Sequence, residues 1–175
     1  MPDGVEADRE VVHHLGAVAV VAVDEADRMA LVRQYRHPVG RRLWELPAGL
    51  LDVPGEPAVR AAQRELYEEA HLAAARWSVL ADLSSSPGFS DEAVRIFLAR
   101  ELSAPTAGRY VTEHEELELE VERVALDTAV DRVLLGEITN AVAVAGILAT
   151  ALARAGGWAG LRPPDAPWPD RPGHA

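Results

Sequence analysis

Residues 46–72, LPAGLLDVPGEPAVRAAQRELYEEAHL, decide how the rest of the chain is read. The stretch opens on a Pro-Ala-Gly turn and passes through a loop carrying Asp52, Pro54 and Gly55. It then enters a run of good helix formers over residues 56–71. Pro57 falls in the first turn of that helix, where a missing N–H costs little. Val59, Ala62, Leu66 and Ala70 form its inward stripe. Glu65, Glu68 and Glu69 stand three and four residues apart, so on a helix they leave one face about 5–6 Å apart at Cβ. Like charges at that spacing repel and weaken an isolated helix. Such carboxylates, with Arg60 and Arg64 close by, are either left to water or gathered round a cation.

Bulk properties narrow the classes. The chain has 175 residues, about one domain, and 49% of them are hydrophobic, an ordinary share for a globular protein. A formal charge of −11 argues against binding a nucleic-acid backbone or an anionic membrane, which want basic patches. An anionic small ligand is still allowed, because a bound divalent cation or a local arginine cluster inverts the field. The sequence has no cysteine, which removes disulfides, thiol nucleophiles and Cys-ligated zinc. The N-terminus lacks the apolar stretch of a signal peptide, and no run is long enough to span a bilayer, so a cytoplasmic protein is expected.

Outward from residues 46–72, the order is strands, helix, strands, helices. Residues 5–14 read as an extended segment, and the Val-rich run 16–23, GAVAVVAV, as a buried strand. Residues 29–35 return after a polar turn, so the two strands are expected to form a hairpin. Residues 33–42, RQYRHPVGRR, are a basic island in an acidic protein. Arg33, Arg36, Arg41 and Arg42 together suit an anion clamp, since guanidinium offers bidentate geometry to phosphate. Strands are expected at 43–46, 78–83 and 93–100, with the turn-rich loop SSSPGFSDE at 84–92 between the last two. Residues 117–124, LELEVERV, alternate strictly. Leu117, Leu119 and Val121 are expected inward, with Glu118, Glu120 and Glu122 as the wet face. Helices follow at 127–135 and 139–154, with Thr139 as N-cap and Gly156-Gly157 as the stop. The expected organisation is a shortened N-terminal strand segment (1–15), an α/β domain (16–155) and a Pro-rich, flexible tail (156–175).

Residues 49–72 resemble the signature box of the Nudix hydrolases: a glycine, a spacer, a glutamate, seven residues, then Arg-Glu-apolar-any-Glu-Glu-any-Gly-apolar. Gly49, Glu56, Arg64, Glu65, Leu66, Glu68, Glu69 and Leu72 match it. The spacer between Gly49 and Glu56 is one residue longer than the usual pattern. His71 stands where the family has glycine, at a left-handed helix end, where a non-glycine residue costs about 1 kcal/mol or more. GAVAVVAV, LVRQYRHPVGRRLWELPAGLLD and SPGFSDEAVRIFLAR are similar to the ADP-ribose pyrophosphatase branch, as is Pro87, sixteen residues after His71. The likeness covers nearly everything from Arg9 to Arg154. It implies an α/β/α sandwich with a mixed sheet.

The resemblance also implies a Mg²⁺- or Mn²⁺-dependent hydrolase that cleaves the diphosphate of ADP-ribose, or of a related nucleoside diphosphate sugar, to AMP and a sugar phosphate. By that likeness Glu65, Glu68, Glu69 and the carbonyl of Ala48 are the metal ligands, an all-oxygen set suited to a hard cation. Arg64, with Glu56, braces the loop against the helix. The base that activates water is expected on an acidic loop, at Glu116 or Glu115, with Glu113 a further candidate. Arg36 and Arg33 are expected at the phosphates, and Phe89, Ser90 and Glu92 over the terminal ribose. Glu45 is either a pocket carboxylate or the structural partner of an arginine. The branch implies a homodimer built through exchanged N-terminal strands. The alternatives are a non-catalytic nucleotide-binding Nudix domain, or a hydrolase of another nucleoside diphosphate derivative.

Overall fold

Strand β1 (Ala17–Ala22) is apolar on both faces because it lies between two cores. Val18, Val20 and Ala22 point to one side, where Leu66, Phe97 and Ala99 join them. Ala19 and Val21 point to the other, among Ile96, Leu98 and Ile147. The computed structural model describes residues 8–105 and 119–172. In chain order β1 is followed by β2 (Arg28–Arg36), a 3₁₀ turn (His37–Val39), β3 (Arg41–Glu45), β4 (Ala48–Leu50) and helix α1 (Ala58–Ala70). Then come β5 (Ala73–Ser84), β6 (Ala93–Ser103), β7 (Glu120–Ala125), α2 (Leu126–Leu134) and α3 (Ala141–Ala155).

The strands form two sheets. One has the order β4-β1-β6-β5 and is mixed, with β1 and β6 parallel and the other pairs antiparallel. The second, β3-β2-β7, is antiparallel throughout. Helix α1 packs on one face of the mixed sheet and α3 on the other, the expected α/β/α sandwich. Helix α3 comes close enough that a Cβ on Gly146 would lie 2.7 Å from Leu46 Cδ1 and 3.1 Å from Val21 Cγ2. A side chain there would have to displace the Leu46 methyl, so glycine is what lets the helix sit this close. Thr150 donates to the Gly146 carbonyl one turn back at 2.6 Å, which satisfies a fully buried hydroxyl.

Four local expectations are corrected. First, β1 and β2 are not a hairpin. They meet at one bridge, Val23↔Met29, and then enter different sheets. Both edges of β1 are already taken, by β4 and β6, so β2 has no free row of backbone groups to pair with. Second, residues 8–14 form no named strand and make one bridge, Val12↔Ser90. Third, Val121 was expected inward but is 47% exposed, and the buried residue of β7 is Val124, opposite Met29. Glu120 and Glu122 are exposed as expected, and Leu117 and Glu118 lie outside the described residues. The two exposed acids share the parity of Val124, and both are ion-paired. Glu120 pairs with Arg42 at 2.8 Å, and Glu122 with Arg132 at 3.0 Å. Fourth, α3 is capped by Asn140, whose Oδ1 accepts from Ala143 N at 3.0 Å, rather than by Thr139.

Helix α1 ends as its sequence implied. His71 adopts φ 52°, ψ 48°; its N–H donates to Tyr67 O at 3.0 Å, and the N–H of Leu72 donates to Leu66 O at 3.3 Å. A left-handed conformation at this position strains every residue but glycine. His71→Gly is therefore expected to stabilise the protein by about 0.5–1 kcal/mol, raising Tm by roughly 1–4 °C in calorimetry. The gain is offset in part by loss of the Tyr67–His71 ring contact, with centroids 5.7 Å apart.

The Pro-rich segment after α3 contains no further helix or strand through residue 172, yet it is held against the sheet. The ring of Trp158 lies 4.5 Å from the Arg100 guanidinium. Val79 N donates to Arg162 O at 2.9 Å. Ala166 and Trp168 pack on the core beneath α1.

Candidate active site

The helical acids are placed by the pattern that builds α1. Leu66, Ala61 and Ala62 are buried against the mixed sheet, which fixes the rotation of the helix and turns Glu65 toward β4. Val59 and Ala70 pack at the edges of this stripe rather than fully inside it. Glu65 is itself 8% exposed. Its carboxylate lies directly over Gly49, where an added Cβ would fall 2.0 Å from Oε1. Only glycine leaves room for that carboxylate, so Gly49 is a steric requirement of the site and not merely a turn residue.

Arg64 binds three of the acids together. Its Nη1 donates to Glu65 Oε1 at 2.6 Å and to Glu68 Oε2 at 3.3 Å, while Nη2 donates to Glu56 Oε2 at 3.2 Å. Burial alone would lower the basicity of this guanidinium. The hydrogen bonds Arg64 donates to Glu56 and the charge of Glu65 outweigh it and hold Arg64 above its ordinary range. The expected bracing pair of Glu56 and Arg64 is thus seen, and Arg64 also neutralises part of the acidic face. Glu69 turns the other way, and its Oε2 accepts from the backbone N–H of Ala48 at 2.9 Å. This contact ties the second turn of the acidic face to the strand whose carbonyl was expected to be a ligand.

No group of three His, Cys, Asp or Glu side chains among the described residues is arranged as a ready-made metal cage. The donors are nonetheless of one kind. Glu65, Glu68, Glu69 and the Ala48 carbonyl supply oxygen alone, from one helix face and the adjoining strand, and oxygen is what a hard divalent cation takes. These residues fit such an ion.

The basic island is organised differently from an open anion clamp. Arg36 is bidentate to Glu45, with Nε to Oε1 at 3.0 Å and Nη2 to Oε2 at 2.7 Å. Glu45 is 3% exposed and also accepts from Gln34 at 3.4 Å. Of its two readings, the structural partner of an arginine is the one the fold displays. Arg33 lies over the Trp44 ring at 5.5 Å and pairs with Glu120 at 3.6 Å. Arg42 pairs with the same glutamate, and Arg41 reaches Thr139 at 3.4 Å. Intramolecular partners therefore absorb much of this charge, Arg36 included: Glu45 lies opposite Val32, on the same face as Gln34 and Arg36, and the long Arg36 side chain reaches back along β2 to it.

The loop 84–92 closes onto the N-terminal segment. Ser90 donates to Val12 O at 3.0 Å, His13 meets Asp91 at 2.9 Å and His14 meets Glu92 at 3.4 Å. Phe89 is 58% exposed beside them. Pro87, Phe89, Ser90 and Glu92 line one side of an open groove of about 500 Å³. Glu113, Glu115 and Glu116, the candidate bases, lie outside the described residues. Sequence reasoning missed two contributors, the Glu65-over-Gly49 contact and the tail residue Asp170, which lines the same groove. The first could have been found from the glycine's fixed offset to the helix. Nothing local in the sequence pointed to the second.

The chain is similar to known proteins along most of its length. The family model described as NUDIX domain matches residues 13–139. The chain is 52% identical over 172 residues to an ADP-ribose pyrophosphatase of Mycobacterium tuberculosis, covering 98% of this chain and 82% of the relative. It is 40% identical over 141 residues to an ADP-ribose pyrophosphatase of Bacillus subtilis, covering 81% and 75%. Among solved structures, one titled as the crystal structure of an ADP compounds hydrolase superposes with a TM-score of 0.70 at 25% identity. It covers 81% of this chain and 74% of that one.

Proposed function

Because the chain belongs to the Nudix family, we propose that it hydrolyses the diphosphate of ADP-ribose to AMP and ribose 5-phosphate with the aid of a divalent metal, Mg²⁺ or Mn²⁺. The observation that carries the reading is the box geometry: Glu65 seated over Gly49, Glu69 on the Ala48 N–H, and Arg64 joining Glu56, Glu65 and Glu68. Relatives named for the same substrate, at 52% and 40% identity, support it.

A bound divalent ion would neutralise diphosphate charge and sharpen the attacking water. Glu65, Glu68, Glu69 and the Ala48 carbonyl would hold it. Glu56 and Arg64 keep those donors in place, since outer contacts of this kind fix ligand orientation. Glu116, or Glu115 beside it, would take the proton from the water. Arg36 and Arg33, positioned by Glu45 and Trp44, edge the phosphate side. Phe89, Ser90 and Glu92 meet the sugar side. Among the described residues no helix is long and apolar enough to cross a membrane. A cytoplasmic homodimer is part of the same proposal.

The deciding assay follows AMP release from ADP-ribose by the purified protein with Mg²⁺, with and without EDTA. We expect turnover that EDTA abolishes, and kcat/KM higher for ADP-ribose than for NADH or other nucleotide sugars. A tenfold preference for one of those would reassign the substrate. Binding of ADP-ribose without turnover would instead favour the non-catalytic reading.

A further inference from the structure

The C-terminal segment is anchored by an arginine that the Nudix box does not contain. Arg95, in β6, is 2% exposed. Its guanidinium donates to both oxygens of Asp82 at 2.7 and 3.0 Å, to Ala166 O at 2.6 Å and to Pro167 O at 2.9 Å. The ring of Trp168 covers it at 4.7 Å. A buried guanidinium with its hydrogen bonds met by tail carbonyls fixes the path of the tail, because leaving those donors unpaired is expensive. Beyond this anchor the chain returns toward the loop ahead of β1, with Pro172 against Gly16. The path between carries Asp170 into the groove lined by Arg9, Pro87, Phe89 and Glu92.

Three observations assign that groove an uncharged part of the substrate. First, it is acidic, which disfavours phosphate. Second, of the acids lining it, Asp91 and Glu92 are engaged by His13 and His14, whereas Glu10 and Asp170 make no hydrogen bond or ion pair with another described residue. Of these two only Asp170 is on the tail anchored by Arg95. Third, the position is right. Ala93 lines the groove and is level with Gly16, two strands across from β4, where Gly49 carries the Glu65 carboxylate. With strands about 4.8 Å apart and a rise of about 3.3 Å per residue, groove and carboxylates are separated by roughly 12 Å. One nucleoside diphosphate sugar spans that distance.

We infer that Asp170 is a specificity-determining residue whose carboxylate accepts hydrogen bonds from the hydroxyl groups of the substrate's sugar end. A carboxylate has acceptor sites on two oxygens and can take both hydrogens of a vicinal diol. Arg95 and Trp168 act through it as positioning residues. The inference rests on the proposed ADP-ribose hydrolysis.

The test compares ADP-ribose with the methyl ester of ADP, which keeps the diphosphate and lacks the sugar hydroxyls. Asp170→Ala is expected to lower the ratio of kcat/KM for ADP-ribose over methyl-ADP roughly tenfold, chiefly through KM for ADP-ribose. Trp168→Ala should lower the same ratio, and Trp168→Phe, which keeps a ring over Arg95, should restore it. An equal effect of Asp170→Ala on both substrates, or none on either, would overturn the inference. Absence of turnover by the wild-type protein on either compound would instead defeat the assigned reaction itself. Asp170 is exposed, so its variant reports even where the Trp168 variant does not fold.

Discussion

Glu69→Gln is expected to reduce ADP-ribose turnover at least about a hundredfold while moving Tm by no more than a few degrees. The amide keeps an oxygen that can accept from Ala48 N–H, the contact Glu69 makes at 2.9 Å, so the tie between α1 and β4 survives. What it removes is negative charge from the donor set of Glu65, Glu68 and Glu69. The loss should fall on kcat and on the Mg²⁺ concentration needed for half-maximal rate. Near wild-type activity in this variant, measured with saturating metal, would remove Glu69 from the chemistry.

The largest expected effect on stability belongs to Asp82→Asn. Asp82 holds Arg95 through two hydrogen bonds and Arg162 through a third at 2.6 Å. Breaking a buried charge pair from one side costs about 3–5 kcal/mol. Arg95 retains the carbonyls of Ala166 and Pro167, so about 2–4 kcal/mol is expected here, or a fall in Tm of roughly 5–15 °C. The pH dependence has a definite sign. Burial raises the Asp82 pKa, but the hydrogen bonds from Arg95 and Arg162 prevail and hold it below the ordinary aspartate range. A group depressed on folding stabilises the native state fully above its unfolded pKa and loses that contribution as pH falls through the folded one. The difference in Tm between wild type and Asp82→Asn should therefore hold at neutral pH and shrink below about pH 4. A difference that grows on acidification would contradict this.

Much of the box was legible because it is local. Helix periodicity placed Glu65, Glu68 and Glu69, and the left-handed end at His71 followed from one position in the pattern. Pairings between distant residues were less accessible. GAVAVVAV shows that a strand is buried on both faces, but not that β4 and β6 take its edges and send β2 to another sheet. The alternation of LELEVERV reveals a strand without revealing which face has water. Val124, Glu122 and Glu120 are arranged as they are because arginines from β2, β3 and α2 meet the two acids. Arg36 looked available for phosphate until the register of β2 and β3 put Glu45 within reach. The tail has no periodicity at all, and its order comes from Arg95, about seventy residues earlier.

Arg64 bears on the order in which this protein is assembled. A peptide whose fold depends on an ion to hold acids together stays unfolded until the ion is supplied, as small zinc modules do. Here an arginine on the helix already supplies positive charge to Glu56, Glu65 and Glu68. The newly made chain is therefore expected to complete its core in a metal-poor setting, with a Tm in EDTA close to that in Mg²⁺-free buffer, and to load the proposed ion afterwards. With the divalent ion proposed above, supply of the metal would set when the protein works, while the chain's own arginine would let it exist beforehand.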